Sequence, residues 1–508
     1  EDQIKAARVN RNRPTISFRI NSGIDWFGVD AKYRDEKGEY EVPFNLEYLT
    51  MGFIQVGDTY KILSPEEIEV LSLLAELGLK KGQPAKVSKN DLSTINSLLE
   101  YVPKKNIEGA VDEAAAKQEI FKKLQDFSNS KEYPLPAKFK GTLRPYQTTG
   151  YNWLHLLHEY ELGGCLADDM GLGKTVQTLA LLQRLKEEGK LRTSLIVLPV
   201  TTMANWMNEI QRFTPEIAAI VHRGGDRDKT GASFYRYDVI LTSYQTLQRD
   251  IKMFSECKFY YVILDESQYI KNANSKTFGC VMKLQAERRL SLSGTPVENN
   301  TFELWAQMNF LNPGILGNLP YFRRNYTNPI EKNQDAEVIA KLRKKVYPFI
   351  LRRKKEEVAK DLPPKEVITV YIDMTDKQRE LYETYRKLFI GQIEETLLKQ
   401  TPAEASMFIL AQILRLRQIC IFPELFKKEY AHVGSGKFDY LKDVIDEILY
   451  ENHKVICFSQ FVQALTIMRN HFDAKKIRYS YIDGQTQNRQ EQIEEFQYNA
   501  KIPLFLIS

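Results

Sequence analysis

The chain has 508 residues, enough for two to four domains with full cores, and its 43% hydrophobic and 27% charged content exclude a disordered or fibrous protein. A net charge of +5 is too modest to argue by itself for a nucleic-acid partner. Cys165, Cys257, Cys280, Cys420 and Cys457 show no paired Cys-x-x-Cys spacing, which argues against disulfides and zinc modules and for buried thiols. No apolar run approaches the ~18 residues of a membrane span, and the first residues lack a secretory apolar stretch. A cytoplasmic protein with no membrane partner is expected. In chain order, residues 15–63 alternate apolar and polar, as in Ile24-Asp25-Trp26-Phe27-Gly28-Val29-Asp30, and predict a small antiparallel sheet with Trp26 in its core. Pro65-Glu66-Glu67-Ile68 opens a helix with acidic residues in its first turn, and 91–101 and 111–127 also read as helices. Tyr133-Pro134-Leu135-Pro136 reads as an extended linker. No internal repeat or low-complexity tract follows.

The densest chemistry lies at Asp168-Asp169-Met170-Gly171-Leu172-Gly173-Lys174-Thr175. Gly171 and Gly173 let backbone N–H groups turn toward phosphate oxygens, and the helix that follows adds its positive end. That helix is signalled by apolar residues at 176, 179, 180, 182 and 185. Lys174 would reach the β and γ phosphates, and Thr175 would place a hydroxyl on Mg²⁺. Strict spacing asks for glycine where Asp168 stands, so the pattern is a variant, and a glycine-rich turn that only caps a helix is the bland alternative. The runs Leu195-Ile196-Val197-Leu198, Val239-Ile240-Leu241 and Val262-Ile263-Leu264 favour the nucleotide site, because they predict a buried parallel sheet. Asp265-Glu266 then falls at the C-terminal end of a strand, where ligands of open α/β sheets bind. Asp265 would hold Mg²⁺ and Glu266 would orient the attacking water.

Lys341, Arg343, Lys344, Lys345, Arg352, Arg353, Lys354, Lys355, Lys360 and Lys365 make a basic stretch against Glu356, Glu357 and Asp361. It is either a solvated helix face or a set of phosphate contacts without sequence specificity. The chain opens on a residue other than methionine and closes on the strand-like run Ile502-Pro503-Leu504-Phe505-Leu506-Ile507-Ser508, so both ends are expected to be cut from a longer protein.

From Leu143 onward the chain resembles the Swi/Snf-type ATPases, a branch of the superfamily-two helicases. Leu143-Arg144-Pro145-Tyr146-Gln147 is similar to the motif that reads adenine through Gln147. The stretch ending at Pro199, with Asn205, Trp206 and Glu209, and Thr242-Ser243-Tyr244, are similar to motifs that line the DNA path. Asp265-Glu266-Ser267-Gln268 stands where Asp-Glu-Ala-His is better known, with Gln268 at the nucleotide. Ser293-Gly294-Thr295-Pro296 resembles the motif that couples hydrolysis to the second lobe. Arg352, Arg353, Lys354, Lys355 and, in Val455–Gln460, Gln460 fall at positions that the resemblance assigns to DNA.

The resemblance implies an α/β fold: a RecA-like parallel-sheet motor lobe and part of a second RecA-like lobe, preceded by a small α+β N-terminal domain. The corresponding spans are 1–132, 133–330, a basic helical protrusion and linker at 331–430, and 431–508. It implies ATP and Mg²⁺ as cofactors, double-stranded DNA as partner and, with that partner, a nucleoid-associated location. The expected activity is ATP-driven translocation on duplex DNA, with hydrolysis coupled to lobe closure. The family's later motif with the arginine fingers is not present in these 508 residues, so they are expected to bind ATP but to hydrolyse it poorly. An ATPase that recycles RNA polymerase and a nucleotide-gated binding protein are the competing expectations.

Overall fold

A computed structural model describes residues 8–9, 15–23, 26–35, 38–42, 52–56, 59–77, 79, 83–89, 91–102, 106–125, 132–225, 227–294, 301–358, 366–399 and 401–508. The chain divides into two compact units, Glu1–Pro364 and Lys365–Ser508. That division falls inside the 331–430 span read above as one segment.

The N-terminal part holds β1 (Arg8–Val9), β2 (Thr15–Ser22), β3 (Trp26–Asp35), β4 (Gly38–Glu41), β5 (Phe53–Val56), β6 (Thr59–Ile62), β7 (Ala85–Ser88) and β8 (Ile107–Gly109). One sheet runs β4-β3-β2-β8 with β7 also on β3, and a second runs β1-β6-β5. The β2–β3, β3–β4 and β5–β6 pairs are antiparallel, whereas β1–β6 and β2–β8 are parallel. Strands β7 and β8 lie beyond the alternating stretch and are too short for a period to register. Helix α1 (Pro65–Glu76) begins at a capping box: the Ser64 hydroxyl accepts the Glu67 N–H, and the Glu67 carboxylate accepts the Ser64 N–H. Helices α2 (Leu92–Tyr101) and α3 (Val111–Gln125) complete this part.

Trp26 corrects the sequence expectation. Phe27 and Val29 point inward, so strand alternation turns Trp26 outward, where it is 37% exposed under the Lys86 ammonium. Tyr133 makes a second correction. Its segment is extended, but it is a clamped strap: the ring stacks on His155 at 3.9 Å, and the hydroxyl donates to Glu159 at 2.6 Å.

The central sheet is built from β9 (Gly164–Leu166), β10 (Ser194–Leu198), β11 (Ala219–His222), β12 (Val239–Ser243), β13 (Lys258–Leu264), β14 (Gln285–Leu292) and β15 (Ile350–Leu351). Its order is β11-β12-β10-β13-β14-β9-β15, with every pair parallel. β10 and β12 are buried along their whole length, as runs without alternation require. Helices α4 (Pro145–Glu159), α5 (Lys174–Glu187), α6 (Met203–Phe213), α7 (Thr301–Leu311) and α8 (Ala336–Val346) belong to the same unit. The N-terminal part joins it through shared core: Leu92, Phe121 and Leu124 lie in the same buried cluster as β10, β12 and β13. A buried ion pair crosses the same seam, Lys345 of α8 to Asp91 at 2.7 Å.

In the second unit, α9 (Asp376–Lys399) packs on α10 (Pro402–Ile421), followed by α11 (Gly436–Tyr450), β16 (Val455–Phe458), α12 (Val462–Ala474), β17 (Tyr479–Ile482), α13 (Arg489–Tyr498) and β18 (Leu504–Ile507). The three strands are parallel in the order β16-β18-β17, so the last apolar run is the middle strand. Cys165, Cys257 and Cys280 are buried; Cys420 and Cys457 are only half-buried, short of the expectation for them. Among the described residues no helix is long and apolar enough to cross a membrane.

Candidate nucleotide site

The glycine loop connects β9 to α5, and two of its residues have positive φ: Gly171 at 85° and Gly173 at 76°. A side chain at Gly173 is excluded twice, by that φ and by Gln147, whose Nε2 would lie 2.5 Å from a Cβ. Gln147 spans the loop and its own helix start, donating to the Leu172 carbonyl at 3.1 Å and accepting the Arg144 N–H at 2.9 Å. The adenine-reading candidate therefore also braces the phosphate loop. Lys174 opens α5, and its ammonium donates to the Asp168 carbonyl at 2.7 Å and the Asp169 carbonyl at 3.4 Å. These weak neutral acceptors are ones that a phosphate oxygen can replace. Thr175 follows in the first turn, half-buried, and Met170 stands 67% exposed at the loop tip.

Asp265 continues the β13 ladder, its N–H donating to the Val197 carbonyl at 2.9 Å. Its side chain is 8% exposed and fixed by two donors: the Trp206 indole N–H at 2.8 Å and the Glu266 backbone N–H at 3.0 Å. Burial pushes the Asp265 pKa up, the Trp206 N–H pulls it down, and Lys174 lies near enough to lower it as well. The Tyr244 hydroxyl donates to the Asp265 carbonyl at 2.8 Å. Burial, and then the charge of Asp265, raise the pKa of neighbouring Glu209.

Glu266 sits in the left-handed region at φ 50°, rare for a residue with a side chain and recurrent where function fixes geometry. Its carboxylate accepts the Gln268 amide at 2.9 Å, and Gln268 in turn accepts the Ser293 hydroxyl at 3.5 Å. Ser293 is thus two side-chain hydrogen bonds from Glu266. Gly294 faces the loop, where a Cβ would lie 3.4 Å from Met170 Cγ. Thr295 and Pro296 lie outside the described residues.

Among the described residues, no three of His, Cys, Asp or Glu gather into a metal cage. Mg²⁺ does not need one. It takes one or two protein oxygens and completes its shell with water and phosphate, and Asp265 with Thr175 fits that demand.

The residues read as DNA contacts divide into two groups. Trp206 and Tyr244 are buried and support Asp265, so both are corrected: they are tied up behind the acidic pair. Thr242 is buried in β12 with its hydroxyl on the His222 carbonyl, and Ser243 is buried as the cap of helix Tyr244–Arg249, so neither side chain faces outward. Arg353 is corrected as well. Its guanidinium is paired with buried Asp168, which removes it from any external phosphate. Arg352, Lys354, Lys355, Asn205 and Gln460 are exposed, and Pro199 is half-exposed. Periodicity could not reveal these supports. Asp168 was the available signal, since a carboxylate inside a phosphate loop demands a cation.

The parallel sheet, the glycine loop after β9 and the acidic pair closing β13 define the motor lobe of a RecA-like nucleoside triphosphatase. Residues 146–425 match the SNF2-related domain family and residues 436–508 the helicase conserved C-terminal domain. The chain belongs to the SNF2-related family. Among its relatives is YwqA of Bacillus subtilis, named as an ATP-dependent helicase/translocase, 35% identical over 402 residues that make up 77% of this chain and 43% of the relative. The ATP-dependent DNA helicase DDM1 of Arabidopsis thaliana is 33% identical over 73% of this chain and 53% of its own length. The Sulfolobus solfataricus SWI2/SNF2 ATPase core solved with dsDNA is 34% identical, covering 75% of this chain and 80% of that one, at a TM-score of 0.45. The chain thus spans about half or less of the two curated relatives.

Proposed function

We propose that the chain is the ATP-hydrolysing motor of a double-stranded DNA translocase that remodels protein–DNA complexes. The observation that carries this reading is the junction of three parts at the C-terminal ends of the adjacent strands β13, β14 and β9. Lys174 lies on loop carbonyls, Asp265 is held rigidly by Trp206, and Glu266 is linked through Gln268 to Ser293. Lys174 exchanges the Asp168 and Asp169 carbonyls for phosphate oxygens. Asp265 and Thr175 would hold Mg²⁺, which would supply positive charge against the charge developing on the phosphates. Glu266 aligns the attacking water and takes its proton, and the change in its hydrogen bonding reaches Ser293 through Gln268. Closing of the motor on nucleotide and its release after hydrolysis advance the duplex.

Support for the DNA partner comes from the exposed cations Arg352, Lys354 and Lys355, and from the DNA named in the description of the Arabidopsis relative. The test is ATP turnover by the protein alone and with duplex DNA, single-stranded DNA or RNA. Stimulation by duplex is expected; stimulation by RNA alone would overturn the translocase reading. Duplex affinity is expected to fall steeply with salt.

A further inference from the structure

The phosphate loop is held by a residue about 180 positions away. Arg353 lies largely covered between the loop and α4: its Nε donates to Asp168 Oδ1 at 2.9 Å, Nη2 pairs with Asp168 Oδ2, and Nη2 also donates to Gln177 Oε1 at 2.9 Å. Nη1 donates to the carbonyl of Tyr146, the residue before Gln147. Gln177 relays the grip, because its amide donates to the carbonyls of Gly173 at 3.0 Å and Leu172 at 3.4 Å. The backbone repeats the contact: the Asp169 N–H donates to the Arg353 carbonyl at 3.1 Å, and the Lys355 N–H donates to the Asp169 carboxylate at 2.9 Å. One guanidinium therefore ties together the entry of the loop, its exit and the start of the adenine-reading helix.

We propose that Arg353 is a positioning residue of the nucleotide site, fixing the phosphate loop from the segment Ile350–Lys355 so that nucleotide affinity depends on that segment being seated. The inference rests on the loop being an ATP site. A planar fork is required, since only arginine presents several donors in fixed directions, and lysine would keep the charge while losing most of the contacts. The carboxylate of Asp168 is wholly buried, so it and Arg353 act as one unit. Gly150 of α4 makes room for the pair: a Cβ there would collide with Gln177 Oε1 and come within 2.7 Å of Arg353 Nη2. That explains a glycine in a helix interior, where it is otherwise unfavourable. In the sequence this segment precedes Lys365, where the second unit begins.

The test measures Mg-ATP affinity by calorimetry, and KM against kcat, for Arg353→Lys, Gln177→Leu and Gly150→Ala, with thermal midpoints recorded alongside. Affinity is expected to weaken about tenfold in Arg353→Lys and Gly150→Ala, with KM rising more than kcat falls. Gly150→Ala is the sharper variant: alanine favours the helix, so a purely structural glycine predicts unchanged binding. Asp168→Asn added to Arg353→Ala is expected to cost little beyond the single change, because each acts through the other. Wild-type affinity in folded Arg353→Lys and Gly150→Ala, or independent losses in the double variant, would overturn the inference. If Arg353→Ala does not fold, the lysine and alanine variants decide. A wild-type protein that binds no Mg-ATP would sink the proposed function together with this inference; normal wild-type binding with unaffected variants would sink this inference alone.

Discussion

Helix α8 and the strand after it serve two regions of the first unit in different ways. At the N-terminal seam Lys345, 5% exposed, meets Asp91, 3% exposed, and donates to the Thr94 hydroxyl at 3.3 Å. Among the described residues the side-chain bonds of that pair stay with Asp91 and Thr94 of the N-terminal part. At the nucleotide face Arg353 meets an equally buried Asp168, but its remaining donors go to Gln177 and Tyr146 and through them to the glycine loop. Both sites solve the same problem, a carboxylate that cannot be left uncompensated in the interior. The second continues by hydrogen bonds through Gln177 to the glycine loop. A buried ion pair is thus not itself a sign of function; what distinguishes the two is where the spare hydrogen-bonding capacity of the cation goes.

The largest separation of the two regions is expected from Glu266→Gln. The substitution keeps size and hydrogen bonding but removes the group that takes the proton, so turnover should fall by about 10³-fold, within the range for a lost general base. Mg-ATP binding and the thermal midpoint should stay near wild type. Steady-state turnover beside calorimetric affinity checks it, and a variant that retains more than a tenth of the activity would remove Glu266 from its assigned role.

Lys345→Met is expected to do the reverse. It leaves Asp91 charged and buried without its partner, which costs about 3 kcal/mol or more of stability. Nucleotide affinity per folded molecule should not change, and adding Asp91→Leu should recover most of the loss by removing the orphaned charge. Chemical denaturation measures the first quantity and titration with nucleotide the second. A drop in affinity that tracks Lys345 rather than folding would mean that the seam also feeds the site, and the contrast drawn above would fail.

The two regions were also unequally legible in the sequence. The glycine loop, the helix after it and the three apolar strand runs carry their structure locally, through φ-permissive residues, a helical period and unbroken β-branched stretches. Those elements are legible in the sequence alone. The supports of the site are not, because Trp206, Tyr244 and Arg353 act on Asp265 and Asp168 across long sequence separations set only by strand order. Resemblance assigned those three to DNA; the burial of Trp206 and Tyr244 and the pairing of Arg353 with Asp168 place them elsewhere. In the N-terminal part, the alternation that marked β3 did not say which phase faced inward. Phe27 and Val29 took the core, and Trp26, the largest side chain of the run, was left outside. Strands β7 and β8 joined the same sheet without any periodic signal of their own.

The smallest expected effect sharpens the account of the nucleotide face. Burial raises the Asp265 pKa from its ordinary value, the charge of Glu266 adds to that, and the Trp206 N–H and Lys174 oppose it. Glu209, itself shifted upward, faces the same group. A raised folded-state value means that the folded protein keeps its proton to higher pH than the unfolded chain, so ionising Asp265 costs stability as pH rises through that value. Protons therefore compete with Mg²⁺ at a higher pH than they would at an exposed carboxylate. Trp206→Phe preserves the packing and deletes the donor to the charged form. A hydrogen bond to an ionised group is worth about 1.5–3 kcal/mol, so the midpoint of Mg-ATP affinity against pH should move upward by about one pH unit or more. Affinity at alkaline pH should stay close to wild type, since Asp265 is ionised there in both proteins. An unchanged midpoint with weaker binding at every pH would mean that Trp206 acts by shape alone, and the indole N–H would lose its electrostatic role.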